Sequence, residues 1–86
     1  MPTISVFYGI VIRMYFNDHA PPHFHARYGD DEATLEIESL RVLAGALPTR
    51  ALDLATAWAA AHRAELLANW SRCRENRTPA RIDPLV

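Results

Sequence analysis

The stretch Asn17–Gly29, with the sequence NDHAPPHFHARYG, restricts the fold of this 86-residue chain more than any other. Pro21 and Pro22 fix φ and lack a backbone N–H, so residues 18–22 cannot lie inside a helix or a central strand. The residues that follow, 23–28, can be extended, and alternate side chains of a strand share one face. The sequence therefore predicts a loop that leads into a two-faced strand.

The two faces of this strand differ in chemistry. One face carries a row of titratable or charged side chains, which are His23, His25 and Arg27. The other face carries Phe24, Ala26 and Tyr28. A polar row backed by an apolar row is typical of a strand that covers a core on one side only.

A tight hairpin is predicted after the histidine strand. Gly29-Asp30 suits a short turn because both residue types tolerate positive φ. Residues 32–38 then alternate between polar and apolar, which favours a second strand. A two-residue turn places His23 opposite Glu36, and a four-residue turn places it opposite Glu38. Both registers bring imidazoles beside carboxylates, and the sequence leaves the choice between them open.

The remaining patterns predict the fold class. Two short strands precede the loop, at 3–7 and 10–16, and Leu40–Leu43 predicts a further one. Apolar residues then recur at helical spacing, at Leu52, Ala55, Ala59, His62, Leu66 and Cys73. We expect one α+β domain, 1–86, in which a small antiparallel β-sheet of three to five strands packs against a long C-terminal helix. Its parts are a β-meander at about 3–43, a helix at about 48–75 in which the pattern leaves a break open, and a tail at 76–86 that docks through Ile82 and Leu85.

Composition limits the cellular setting. The single cysteine, Cys73, allows no internal disulfide, and the uncharged run at 1–12 is too short to span a bilayer. We expect a cytoplasmic protein without a signal peptide or a membrane segment. A chain of this length buries only about 60 % of its unfolded surface, which favours a homo-oligomer or a partner chain.

The charge balance argues against nucleic-acid binding through bulk electrostatics. The formal net charge is −1, and all nine basic residues are arginine. Residues 1–43 carry three arginines and six acidic side chains, whereas residues 44–86 carry six and four. Proteins that hold nucleic acid through their overall field show a clear positive excess, which this chain lacks.

Three interpretations of the histidine row remain open. In the first, the row binds a divalent metal such as zinc or nickel, because two imidazoles with a carboxylate form a suitable ligand set. The candidate ligands are His19, His23, His25 and Glu36, with Asp18 as a further carboxylate. In the second, the groups are structural and are satisfied by the glutamates of the next strand.

The third interpretation is metal-free acid–base catalysis. Two histidines that titrate near neutral pH can act as acid and base in RNA transesterification, and an arginine can stabilise the developing charge. The assigned roles are His23 and His25 as acid and base and Arg27 as the charge-stabilising group. His19 and Tyr28 are supporting groups. Whether the protein is an enzyme stays open at this point.

The motifs extend beyond the histidines. They include MPTI at residues 1–4, GIxIxMYFNDHAPPHFHARYG at 9–29, WxxxHxxELxxNW at 58–70 and IxPL at 82–85. In these motifs the chain resembles a family of small prokaryotic proteins, domain of unknown function 4160. The resemblance implies a component of a toxin–antitoxin operon, more specifically a toxin, beside a partner of domain of unknown function family 2442. The alternative function is a non-catalytic module that binds a metal or a protein.

Overall fold

The protein, represented by a computed structural model that describes residues 2–86, is built from five strands followed by two helices. The strands are β1 (Thr3–Phe7), β2 (Ile10–Arg13), β3 (His23–Tyr28), β4 (Asp31–Glu36) and β5 (Val42–Gly45), and the helices are α1 (Thr49–Ala61) and α2 (Arg63–Arg74). The strands form one antiparallel sheet in chain order. The predicted α+β class and strand number are confirmed. Met1, at which the quoted motifs begin, lies outside the described residues.

Two-residue turns set the register of the first four strands. Tyr8-Gly9 joins β1 to β2, and its φ angles of 50° and 79° are both positive, as a tight hairpin needs. Gly29-Asp30 joins β3 to β4 and pairs His23 with Glu36. Of the two registers that the sequence left open, the structure therefore adopts the one with the two-residue turn.

One face of the sheet and the two helices share a single core. The helices bury Ala51, Ala55, Trp58, Ala59, Leu66, Trp70 and Cys73 against this face. The strands contribute Ile4, Phe7, Ile10, Ile12, Phe24, Ala26, Ala33 and Leu35. Alternation therefore predicted the buried side chains of Phe24, Ala26 and Leu35 correctly, whereas Tyr28, in the same predicted row of β3, is 42 % exposed.

The prediction of a single long C-terminal helix is wrong. The helix is interrupted at His62, whose φ of −126° and ψ of 24° are not helical, and two helices of 13 and 12 residues result. A straight helix over 49–74 would be about 39 Å long, at 1.5 Å per residue. The longest extent of the molecule is 33 Å. A straight helix would therefore exceed the longest extent of the folded molecule, whereas two shorter helices fit within it.

Three strands differ from their predicted bounds. β2 ends at Arg13 rather than at Phe16, which is 40 % exposed, and β4 is Asp31–Glu36 rather than 32–38. The strand after the second hairpin begins at Val42, because Leu40 has a φ of 62° that turns the chain before it can pair.

The tail docks as predicted. The backbone N–H of Ile82 donates to the carbonyl of Ile4 at 2.8 Å, and the side chain of Ile82 is buried. The indole N–H of Trp58 donates to the carbonyl of Asp83 at 2.8 Å. The segment thus covers β1 at the edge of the sheet. Within residues 2–86, neither helix has the length and apolar character that crossing a bilayer requires.

Candidate metal centre

The sheet places the histidine row on the face opposite the main core. His25 lies between Arg13 of β2 and Thr34 of β4, and His23 lies opposite Glu36 at the start of β3. Because successive side chains of a strand point to opposite faces, these rings project away from Phe24. His23 is nevertheless buried, since its ring packs against Trp70 of α2 with centroids 5.0 Å apart.

The proline-containing loop between β2 and β3 brings a carboxylate over the two rings. The loop is anchored by the N–H of Asn17, which donates to the carbonyl of Cys73 at 3.1 Å. The peptide bond between Ala20 and Pro21 is cis. The N–H of Ile37 donates to the carbonyl of Pro22 at 3.0 Å. Asp18, between these two anchors, thereby lies close to the histidine row.

Asp18 and His23 form the tightest contact of the site. The Nδ1 atom of His23 lies 2.8 Å from the carbonyl oxygen of Pro21, and its Nε2 atom lies 2.8 Å from Oδ2 of Asp18. A carbonyl oxygen can only accept, so Nδ1 carries a hydrogen. In a neutral ring, Nε2 then presents a lone pair to a carboxylate that also offers lone pairs. A second cation, either a proton or a metal ion, must therefore lie between Nε2 and Asp18.

His25 points toward the same carboxylate oxygen. Its Nε2 atom lies 3.7 Å from Oδ2 of Asp18, too far for a hydrogen bond, and is a buried atom that has no hydrogen-bond partner within residues 2–86. Its Nδ1 atom lies 3.3 Å from Oγ1 of Thr34 and 3.5 Å from a carboxylate oxygen of Glu32. One nitrogen of the ring is therefore held by β4, and the other faces Asp18 without a partner.

The ionisation of the cluster follows from these contacts. Burial tends to raise the pKa of Asp18, but the N–H of His19 and the rings of His23 and His25 lower it, so the pKa lies below its usual range. Burial lowers the pKa of His25, and the charge of His23 lowers it further, while the carboxylates of Asp18 and Glu32 only partly oppose this. The site therefore favours an ionised carboxylate beside a neutral His25 at pH 7.

The geometry fits a divalent ion. Asp18, His23 and His25 each offer one ligand atom, and these atoms lie within 4.8 Å of one another. Bonds of about 2.1 Å put the donors of a tetrahedral zinc ion about 3.4 Å apart, close to the present Nε2–Oδ2 distances of 2.8 Å and 3.7 Å. The far nitrogen of a metal-binding histidine commonly donates to a carbonyl or carboxylate, as Pro21 and Glu32 allow here.

A cavity of about 410 Å³ opens from these three side chains. Its other lining residues are His19, Pro21, Thr34, Leu43 and Ala44. Three protein ligands leave a coordination position of a four-coordinate ion free, and the cavity gives that position access to a small molecule.

The structure separates the residues that the sequence grouped together. His19 is 88 % exposed and contacts the other carboxylate oxygen of Asp18, with Nδ1 3.0 Å from Oδ1. Glu36, a predicted ligand, accepts a hydrogen bond from Ser39 instead and is not one of the three converging groups. Arg27 donates through Nε to the carbonyl of Gly29 at 2.9 Å.

Tyr28 lies apart from the other proposed catalytic residues. It belongs to the opposite row of β3 and lines a separate cavity beside α1. His62, on the helical side of the molecule, has Nδ1 2.5 Å from a carboxylate oxygen of Glu65 and does not join the histidine row.

Sequence reasoning gave Glu36 priority over Asp18 and missed two aromatic neighbours. The ring of Tyr15 meets that of His25 edge-on with centroids 4.4 Å apart, and Trp70 covers His23. The contact of Tyr15 had a signal, because alternation along the strand predicted at 10–16 puts its side chain on the same face as Arg13, which pairs with His25. The contact between Trp70 and His23 had no signal in the sequence, since it depends on how α2 packs against the loop between β2 and β3.

Comparison with models of known protein families shows which family this chain belongs to. The sequence model described as "Domain of unknown function (DUF4160)" matches residues 9–71, well over half of the chain. The chain belongs to the DUF4160 family. The part of the chain that matches DUF4160 contains all three converging ligand atoms and both helices up to Ser71. The comparisons with curated proteins and with solved structures give no match.

Proposed function

We propose that this DUF4160 protein binds one divalent transition-metal ion, zinc or nickel, through Asp18, His23 and His25. The observation that carries the proposal is the convergence of Nε2 of both histidines on Oδ2 of Asp18, with the Nδ1 atoms held elsewhere. Asp18 replaces Glu36 in the ligand set predicted from the sequence, and His19 lies beside the carboxylate rather than among the three ligands.

One feature supports a metal over a purely structural role. A structural cluster satisfies its buried polar atoms, yet Nε2 of His25 has no hydrogen-bond partner within the described residues. A single ion bound to both rings and the carboxylate satisfies all three groups. With one position open to the cavity, such an ion acidifies a bound water, which is the chemistry of hydrolytic sites.

The test is metal binding by protein purified without an affinity tag and stripped with a chelator. Isothermal titration calorimetry with Zn²⁺ and with Ni²⁺ should show a stoichiometry of one bound ion per chain for the wild type. Asp18→Asn and His25→Gln should each weaken binding by at least about 100-fold, because each removes one of only three ligands. His62→Gln, which alters a histidine outside the cluster, serves as the matched control.

Equal affinity of the wild type and the Asp18→Asn variant would contradict the proposal. Circular dichroism and thermal melts of each variant distinguish loss of a ligand from loss of the fold. His23 is not chosen for substitution, because its ring is buried against Trp70 and its removal damages packing as well.

A second candidate function is metal-free acid–base catalysis on RNA, which one observation supports. His25 presents an unpartnered Nε2 atom at the cavity and, with its pKa lowered by burial, is neutral at pH 7, as a general base must be. The catalytic set predicted from the sequence is weakened, because the side chains of Arg27 and Tyr28 are not among the three groups that converge. RNA cleavage that persists in chelator and vanishes in His25→Gln would favour this candidate over metal binding.

We further propose that the chain is a component of a prokaryotic toxin–antitoxin operon, acting in the cytoplasm as the toxin beside a partner of domain of unknown function family 2442. The support for this setting is the motif resemblance alone. Growth arrest on induced expression, relieved by co-expression of the neighbouring gene and absent in His25→Gln, is the expected result. Unimpaired growth at high soluble expression would contradict it.

A further inference from the structure

A second cavity, of about 240 Å³, lies on the helical side of the sheet. It is lined by Tyr8, Tyr28, Pro48, Arg50, Ala51 and Leu54. Because it opens from the opposite face of β3, it shares no lining residue with the cavity beside the candidate metal centre. An inference drawn from it is therefore independent of metal binding.

Two tyrosines give this cavity flat aromatic walls. The side chains of Tyr8 and Tyr28 are 57 % and 42 % exposed, so about half of each is not used for packing. The ring of Tyr28 lies against the backbone of Gly9, where a Cβ would come within 3.3 Å of Cε1. This contact leaves the rest of the Tyr28 ring available to the cavity.

Tyr8 is an unfavourable choice for the position that it occupies. It takes a φ of 50° at the first position of the two-residue turn, where Asn or Gly is preferred. It therefore contributes neither good turn chemistry nor a buried ring. A ligand that stacks on the ring accounts for a tyrosine at this position, whereas the fold alone does not.

Arg50 adds a positive charge to the aromatic walls. Its side chain is exposed and lines the cavity, so the guanidinium is accessible to a ligand. Arginine binds phosphate through parallel N–H donors, and aromatic rings stack on nucleobases. The cavity is smaller than the usual range for drug-sized ligands, about 300–1,000 Å³, and so admits a single ring system rather than a long ligand.

We propose that this cavity binds one nucleotide, with its base on Tyr8 and Tyr28 and its phosphate on Arg50. The nucleotide is either free in solution or one residue of a single-stranded RNA. The net charge of −1 gives no field that would hold a long strand, so recognition rests on the one base and its phosphate.

The experiment is a titration of ¹⁵N-labelled protein, followed by NMR, with AMP, UMP, adenosine and ribose 5-phosphate. AMP or UMP should shift the amides of the Tyr8-Gly9 turn and of residues 49–51, with a dissociation constant on the order of 1 mM, as a small ligand in an open cavity allows. Adenosine and ribose 5-phosphate should each bind about tenfold more weakly, because each lacks one of the two recognised groups.

Three variants test the assignment of residues. Tyr8→Asn suits the turn better than tyrosine, so it should keep or raise stability while weakening AMP binding about tenfold. Arg50→Gln should weaken AMP binding about tenfold but leave adenosine binding unchanged. Arg74→Gln, at the far end of α2, should bind AMP as the wild type does.

A tetranucleotide such as UUUU distinguishes the two sources of the ligand. Tighter binding of UUUU than of UMP indicates RNA, and equal or weaker binding indicates a free nucleotide. The proposal is overturned if 10 mM AMP and UMP shift no amide around the cavity, if ribose 5-phosphate binds as well as AMP, or if Tyr8→Asn binds AMP as the wild type does.

Discussion

Asp18 and His23 meet at 2.8 Å through Oδ2 and Nε2, while the other nitrogen of the same ring lies 2.8 Å from a backbone carbonyl. Both neighbours of this imidazole are acceptors, so in the metal-free protein one hydrogen lies on Nδ1 and another lies between Nε2 and Oδ2 of Asp18. A metal ion at Nε2 must displace one of these protons, because only the unprotonated nitrogen is a ligand.

Zinc binding should therefore release about one proton from the wild-type protein at about pH 7.5. The measurement is isothermal titration in buffers that differ in ionisation enthalpy, in which the slope of the observed enthalpy gives the number of protons. In Asp18→Asn the amide can donate to Nε2, which removes the need for that proton, so any residual zinc binding should release fewer. A wild-type value near zero would contradict the protonated pair.

The residues behind His25 should tune metal affinity without being ligands. Glu32→Gln removes the carboxylate that faces Nδ1 of His25 and should weaken zinc binding about tenfold, less than the loss of a ligand. Glu38→Gln is the matched control, because it makes the same change in the turn after β4, outside the cluster. Competition with a chromophoric chelator measures both. A Glu32→Gln variant no weaker than Glu38→Gln would show that Glu32 has no such role.

Stability of the metal-free protein should fall on acidification. The pKa of His25 is lowered in the folded state, so between its usual value of 6.5 and its folded value the unfolded chain binds more protons than the folded one. The free energy of unfolding should then decrease as the pH falls below about 6.5. The lowered pKa of Asp18 extends this loss to lower pH, beneath the usual carboxyl value of 3.8.

Urea unfolding between about pH 4 and pH 8 measures this dependence. His25→Gln should be flatter than the wild type around pH 6, since it lacks the group that titrates there. His19→Gln, which changes an exposed histidine in the loop before β3, should keep the wild-type slope. A wild-type protein that grows more stable on acidification through this range would contradict the direction of the His25 shift.

The sheet core should tolerate truncation poorly. Leu35 of β4 is fully buried opposite Phe24, so Leu35→Ala should lower the free energy of unfolding by about 2–4 kcal/mol through lost burial and a residual cavity. Leu43 of β5 is 41 % exposed, and Leu43→Ala should change stability by about 0.5 kcal/mol or less. Chemical denaturation of the two variants compares the same deletion at a buried and an exposed site. Equal losses would show that the buried face is assigned wrongly.

Alternation along the chain predicted the sheet because its signal is local. Phe24 and Leu35 lie on the buried face for the same period-two reason that puts His25 on the other, and a two-residue turn then fixes their pairing. The break at His62 carries no such signal. Alanines precede it and no glycine or proline marks it, so the local sequence does not predict the bend.

The sequence predicted the two histidines of the candidate site but gave priority to the wrong carboxylate. Strand geometry places His23 and His25 together and suggests Glu36 as a neighbour, because cross-strand partners follow from register. The carboxylate that actually reaches both rings comes from a loop. Its path depends on the anchor of Asn17 at Cys73, a contact between segments far apart in sequence.

The three donor atoms of the candidate site are held by different parts of the fold. Both imidazoles belong to a central strand that is paired on either side, whereas Asp18 arrives on a connection fastened to the last turn of α2 by the hydrogen bond from Asn17. If the end of that helix unwinds, the loop loses one of its two anchors while β3 stays paired with both of its neighbours. Fraying of one helical turn would therefore displace one of the three candidate ligands and leave the sheet intact.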